Sequence, residues 1–318
     1  MSRIVVALGG NALCPAGSAG NIPQQFARTR ETVVPLADLI EHGHQLLITH
    51  GNGPQVGNIL RRVEIASKEV YPIDLGLCVA DSQAGMGYMI CQCLTNEFRK
   101  RGRDVQGCTI VTTVLVDRDD PAFADPTKPI GPFLSAEEAE RHRREEGWHL
   151  IEVPGRGMRR VVPSPRPLQI KELDLIRQLY DSGRQVVAVG GGGIPVIDKP
   201  GGGYEGVEAV IDKDLSAALL ALGVEADLLA VLTDQPCVYA DFGKPSQQAL
   251  TRLTVSEARR LLEAGQFPPG SMGPKIQAAI DFLEGSPKPN ARAVITSTGA
   301  VVEAIEQGAG TWIERDGS

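Results

Sequence analysis

Three lysines stand in settings where a lysine is constrained. Lys213 lies in VIDKDLS, at the expected start of a helix and between Asp212 and Asp214. Lys275 lies in GSMGPKIQ, directly after Pro274, a residue suited to a first helical position. A cation there opposes the helix dipole, a cost that makes sense if an anion binds at the same terminus. Lys128 lies in PTKPIGP, between two prolines. Any one of these alone reads as a solvated surface charge. Together they suit phosphoryl transfer, which asks for positive charge around the moving group and for little covalent chemistry from the protein. Two carboxylates accompany them. Asp214 holds lysines by paired hydrogen bonds, meets Mg²⁺ through water, or merely offsets the dipole of its helix. Asp234, in VLTDQP, either meets Mg²⁺ through water or serves as a turn or cap residue.

Four apolar runs end alike, in ALGGNA, ITHGNGPQ, AVGGGGIP and VLTDQP. In open α/β sheets ligands sit beyond the carboxyl ends of the strands. Glycines there bring backbone N–H groups close to an anion. Gly9, Gly10 and Asn11 thus read as one wall of a phosphate cradle. The familiar phosphate motifs are missing: there is no GxxxxGK[ST]. The one GxGxxG, GGGYEG at Gly201–Gly206, follows Asp-Lys-Pro rather than a strand and reads as a flexible loop. His50, in THGNGP, follows an apolar run and reads as a packed strand-end histidine more than as a general base.

The elements that must position these residues alternate along the chain. RIVVALG, QLLITHG, CTIVTTVLV, RQVVAVGGGG, ADLLAVLT and ARAVITST read as strands, and GTWIER as a last edge strand. Helices are expected over Gln24–His42, from near Pro54, over Ser82–Arg101, Leu173–Ser182, Leu215–Leu222, Ser256–Ala264, Pro274–Glu284 and Val301–Gln307. Continuous apolar strands between helices mean an α/β protein with a parallel sheet covered on both faces. One segment breaks the pattern. Residues 117–167 carry eight prolines, the charged run SAEEAERHRREEG and a possible hairpin, WHLIEVPGRGMRRVVP. These suit a protruding subdomain inserted between two strands.

Composition narrows the function classes. The 318 residues are 42% apolar, enough for a sizeable core, but only 4% aromatic, so Val, Ile, Leu and Ala must build it. The formal charge of −7 opposes wrapping of nucleic acid, though not a local basic pocket. MSRIVVALGG is unlike a signal peptide, and no run nears the ~18 apolar residues of a membrane span, so a cytoplasmic protein is expected. The six cysteines show no metal spacing and are expected as reduced, structural thiols.

The combination resembles the amino acid kinase family, and within it the carbamate kinases. The resemblance rests on VVALGGNAL, THGNGPQVG, DRDDPAF with PTKPIGPF, GMRRVVPSPRP, VAVGGGGIPV, GVEAVIDKDLSAALLA, LLAVLTDQPCVY and GSMGPKIQA, spread over nearly the whole chain. It implies a three-layer αβα sandwich with a mostly parallel sheet of about eight strands and a small protruding subdomain. It implies one amino acid kinase domain over 1–318, with an acceptor lobe over 1–183 and a nucleotide lobe over 184–318. It implies ATP/ADP and Mg²⁺, a homodimer, and reversible phosphoryl transfer between ATP and carbamate, usually towards ATP in arginine or purine breakdown. No protein metal ligand, nucleic acid or membrane is implied.

By the same resemblance, Gly9, Gly10, Asn11, Gly51, Asn52 and Gly53 line the transfer pocket. Lys275 bears on the moving phosphoryl, Lys213 on the nucleotide phosphates, and Asp214 organises the lysines. Asp234, Val238, Tyr239, Met272 and Gly273 fall in the nucleotide site. Relatives such as acetylglutamate kinase carry a lysine in the first strand where this chain has Ala7; Lys128 of the insert takes its place. Two other readings stay open: a kinase for another small acid or phosphate on this fold, and a nucleotide-binding or storage protein without catalysis.

Overall fold

The apolar runs pair side by side, and alternate residues of each face opposite sides. In the computed structural model, which describes residues 1–10, 13, 20–153, 155 and 157–317, the main sheet has eight strands. Their order is Arg252–Thr254, Thr311–Glu314, Arg292–Ser297, Leu228–Thr233, Arg3–Leu8, Gln45–His50, Gln185–Ala188 and Gly107–Ile110. Neighbours run parallel except Arg292–Ser297 with Thr311–Glu314. The first strand shows why both faces need cover. Val5 and Ala7 enter one core with Ile176, Ala217 and Ile276, while Ile4, Val6 and Leu8 enter another with Leu36, Ile90 and Val301. All five are fully buried, and each Val, Ile or Leu so buried contributes about 1.5–3 kcal/mol. Helices Leu173–Asp181, Lys213–Gly223, Val255–Glu263 and Met272–Gly285 cover the first face. Helices Ile22–Glu41, Leu75–Lys100 and Val301–Gln307 cover the second, which completes the three layers.

Several elements depart from the sequence reading. CTIVTTVLV is two strands in two sheets, Gly107–Ile110 and Thr113–Val116. The break is made at Thr112, whose backbone N–H donates to Gln83 Oε1 at 2.8 Å and whose carbonyl accepts Gln83 Nε2 at 3.1 Å. The helix expected from Ser82 begins at Leu75, because Asp74 caps it by accepting the Leu77 amide at 2.7 Å. GTWIER is not at the edge, since the three-residue strand Arg252–Thr254 pairs outside it. GGGYEG is half strand: Tyr204–Gly206 pairs antiparallel with Ile194–Asp198, and the glycines turn the hairpin.

The insert is a subdomain, as its prolines suggested. It leaves Thr113–Val116 and returns at Pro167–Ile170, adjacent strands of a second, four-stranded sheet. Within it, Lys128–Leu134, Gly157–Val162 and His149–Val153 form an antiparallel sheet beside helix Ala136–Glu146. Its Ile130 and Val162 join Val56, Leu60, Leu75, Val79 and Val210 of the body in a third apolar cluster. Cys78, Cys91, Cys93, Cys108 and Cys237 are free thiols, and Cys14 lies outside the described residues. Burial, with Cys108 nearby, pushes the Cys91 thiol up to about 12, which makes it a poor nucleophile. Among the described residues no helix is long and apolar enough to cross a membrane.

Candidate active site

Two clefts open beyond the carboxyl ends of the central strands. The first is walled by Thr233, Asp234 and Gln235 at the end of a strand, by Tyr239 and Phe242, and by Gln266, Phe267, Pro268, Ser271, Met272 and Lys275. The Tyr239 and Phe242 rings lie 5.9 Å apart and tilted, an aromatic rim. The second is walled by Gly10, Gly51, Asn52 and Gly53, by Lys128 of the insert, by Asp212, Lys213 and Asp214, by Gly191, and by Ser271 and Lys275. The two walls share Ser271 and Lys275.

At that junction the charges are ordered. Asp212 caps helix Lys213–Gly223: its Oδ1 accepts the Asp214 amide at 2.9 Å and its Oδ2 accepts Lys128 Nζ at 2.6 Å. One Asp214 oxygen accepts Lys213 Nζ, and the other accepts Lys275 Nζ at 2.8 Å. Burial pushes the Asp214 carboxyl up, but Lys213 and Lys275 override it and hold it well below the usual carboxylate range. Burial likewise pulls on Lys275, yet Asp214, Asp212 and Asp234 leave its ammonium net raised and firmly charged. Lys213 is lowered, by burial first; Asp214 opposes this and Lys275 adds to it. Three cations face two carboxylates, so this cleft is net positive in an acidic protein.

Two helix N-termini add to that field. The helices Gly53–Ala66 and Met272–Gly285 start at Asn52 and Ser271, neither of which caps with its side chain. The Gly273 amide donates to the Pro268 carbonyl, and Pro54 and Pro274 carry no N–H. The first-turn amides that no side chain caps are therefore those of Gly53, Gln55 and Met272, the kind of group that receives anions.

The site residues expected from the sequence are sorted by this geometry. Lys128, Lys213, Asp214, Lys275, Gly10, Gly51, Asn52 and Gly53 meet in the second cleft. Asp234, Tyr239, Met272 and Lys275 line the first. Gly273 is at the start of the helix below it, with its amide donating to the Pro268 carbonyl at 3.0 Å. Val238 packs in the core instead of lining the cleft, and its amide donates to Thr311 Oγ1 at 2.7 Å. Gly9 is not in either wall: a Cβ there would lie 2.9 Å from the Leu232 carbonyl oxygen. Its lack of a side chain lets the neighbouring strand come this close. Asn11 lies outside the described residues. Met272 starts its helix, so Lys275 is in the first turn but Pro274 is not its first residue. His50 is buried, its Nδ1 lies 3.2 Å from the Gly51 carbonyl oxygen, and burial lowers its pKa to about 4. It is a neutral packed histidine, as its apolar strand suggested.

Sequence reasoning missed Asp212 as the partner of Lys128, although it stood next to Lys213. It also missed Phe242, Gln266 and Phe267, which follow no motif and reach the first cleft through loops. Among the described residues there is no group of three or more His, Cys, Asp or Glu placed to hold a metal.

The amino acid kinase family model matches residues 2–297, and the chain belongs to that family. Full-length relatives are more specific. The chain is 46% identical over 320 residues to a carbamate kinase of Thermococcus kodakarensis, covering 99% of this chain and 100% of that one. It is 45% identical over 317 residues to carbamate kinase 3 of Staphylococcus aureus, covering 99% of this chain and 100% of that one. A solved carbamate kinase of Giardia lamblia bound to AMP-PNP superposes with a TM-score of 0.91 at 38% identity, over 99% of both chains. The protein is a kinase, and kinases of this family use ATP or ADP.

Proposed function

We propose that the protein transfers a phosphoryl group reversibly between ATP and carbamate, running in the cell from carbamoyl phosphate and ADP towards ATP. The observation that carries this reading is the Lys213–Asp214–Lys275 array at the one place where the two clefts meet. The first cleft, with its aromatic rim, takes the nucleotide. The second, small and net positive, takes carbamate or carbamoyl phosphate. The nucleotide cleft is built from residues 233–275, inside the carboxyl half, whereas the acceptor cleft draws on both halves of the chain.

In this reading the phosphoryl moves in line across the junction. Lys275 stabilises the charge on the moving group, Lys213 meets the nucleotide phosphates, and Asp214 fixes both ammoniums. Lys128 brings the charge that Ala7 lacks. Carbamate is already an anion, so no general base is needed and none is assigned. The donor set fits Mg²⁺ carried in by the nucleotide: both Asp214 oxygens are taken by lysines, while Asp234 faces the nucleotide cleft and could meet the ion's water shell. Mg²⁺ would neutralise charge between the phosphates.

The reading extends to a cytoplasmic homodimer in arginine or purine breakdown. Leu77 and Tyr88, 51% and 57% exposed on helix Leu75–Lys100, offer a face for a second copy. The test is ATP formation from ADP, Mg²⁺ and carbamoyl phosphate, beside acetyl phosphate and an enzyme-free control. Fast synthesis that depends on carbamoyl phosphate is expected. Tight ADP binding without ATP formation would refute it in favour of another acceptor or of nucleotide storage.

A further inference from the structure

THGNGPQVG and PTKPIGPF carry two glycines that the proposed chemistry does not use, Gly57 and Gly131. They touch. Gly57 is buried in helix Gly53–Ala66, and a Cβ built there would lie 2.7 Å from Gly131 Cα and 2.8 Å from Gly131 N. Both atoms are backbone, so no flexible side chain can yield. Gly131 belongs to the strand Lys128–Leu134 of the insert and has φ +69°, a conformation only glycine adopts without strain. Arg159, on the paired strand, fixes this point by donating Nε–H to the Gly131 carbonyl at 3.2 Å. On either side of the contact Ile130 packs with Val56 and Leu60.

This contact is where the body meets the strand that carries Lys128. Three residues before Gly131, Lys128 reaches across to Asp212 at 2.6 Å. Three residues before Gly57 stands Pro54, in the wall of the same cleft. We infer that Gly57 is a positioning residue for Lys128: the glycine-to-glycine seat sets how far the insert's lysine reaches into the acceptor cleft. The inference rests on the reading that Lys128 serves the acceptor.

A methyl group at Gly57 needs about 3.5–4.0 Å from a carbon neighbour, so the strand must retreat by about 1 Å. Misplacement of that size costs up to about 10²-fold in rate when a charged group is displaced from a reacting centre. The effect is directional. It falls on the acceptor and not on the nucleotide, whose cleft is lined by no described residue of the insert.

The test is a double-mutant cycle of Gly57→Ala with Lys128→Ala, once the unaltered enzyme has been seen to make ATP from carbamoyl phosphate. If that enzyme makes none, the functional reading fails before any variant is compared. In an active enzyme, Gly57→Ala should lower kcat/KM for carbamoyl phosphate tenfold to a hundredfold and leave ADP affinity within twofold. In the Lys128→Ala background the same substitution should cost less than threefold, because the group it displaces is gone. Unchanged kcat/KM in a Gly57→Ala protein that binds ADP, or a loss that multiplies fully with that of Lys128→Ala, overturns the inference. Should Gly57→Ala not fold, Arg159→Ala decides. It loosens the same seat without added bulk and must give a smaller loss, silent towards ADP and absent in the Lys128→Ala background; no loss, or an independent one, overturns it.

Discussion

Replacing Asp214 by Asn keeps the shape of the side chain and removes the one charge that Lys213 and Lys275 share. The carboxylate is 4% exposed, and its two lysines are 11% and 14% exposed, so water cannot take its place. Removing one partner of a buried ion pair costs about 3–5 kcal/mol, since the other charge is left uncompensated. Unfolding entropy of about 2.1 cal/mol/K per residue over 318 residues converts this to a melting temperature about 4.5–7.5 °C lower. The pH dependence is a second signature. With Asp214 gone, Lys275 loses the charge that keeps its pKa raised against burial, and Lys213, already lowered, falls further. The folded lysines then release protons at lower pH than the unfolded chain, whose lysines titrate near 10.4. The deficit in Asp214→Asn should therefore shrink as pH rises from 7 towards 10. Nucleotide should also raise the melting temperature of the variant more than that of the unaltered protein, because its phosphates supply the missing negative charge. Thermal unfolding at pH 7 and 9.5, with and without MgADP, measures all three, and turnover should drop at least 10²–10³-fold. An unchanged melting temperature at pH 7 with turnover within threefold would refute the role given to the array.

Other substitutions separate the two clefts and the core. Lys275→Ala should lose about 10²–10³ in turnover, and a loss under threefold would remove it from the transfer step. Lys128→Ala should lose turnover and also raise KM for carbamoyl phosphate but not for ADP; if neither changes, the insert supplies no charge. Phe242→Ala, which removes half of the aromatic rim, should weaken ADP about tenfold if a base stacks there, and a calorimetric Kd within twofold would exclude stacking. His50 has a folded pKa of about 4 against about 6.5 unfolded, so its contribution is complete above pH 6.5 and lost as pH falls towards 4. His50→Asn should flatten that acid limb, by about 3 kcal/mol between pH 7 and 4; chemical denaturation that loses stability equally with acid in both proteins would contradict it.

Most of the sheet was legible because its strands are buried on both faces and read as unbroken apolar runs. What escaped reading is set by contacts distant in sequence. CTIVTTVLV has no internal sign of a break, because the break is made by Gln83 on a helix. Arg252–Thr254 is too short to carry a pattern, so Thr311–Glu314 passed for the edge. The lysines were visible by their settings and by resemblance, but the sharing of Asp214 by Lys213 and Lys275 spans 61 residues in the second case and is a product of folding. Gly9 shows the limit of glycine as a signal: the residue marks a close approach, and sequence alone does not say whether a ligand or a neighbouring carbonyl approaches.

Among the described residues the walls of the two clefts have only Ser271 and Lys275 in common, and this bears on the order of events in turnover. With nucleotide and acceptor assigned to the clefts as proposed, neither ligand should have to travel through the space of the other, so either should be able to load first and either product to leave first. Without a covalent phosphoryl-enzyme, initial rates plotted against both substrates should converge, not run parallel. Product inhibition should carry the signature of a random sequence, with Ser271 and Lys275 as the shared wall through which the two half-sites sense one another.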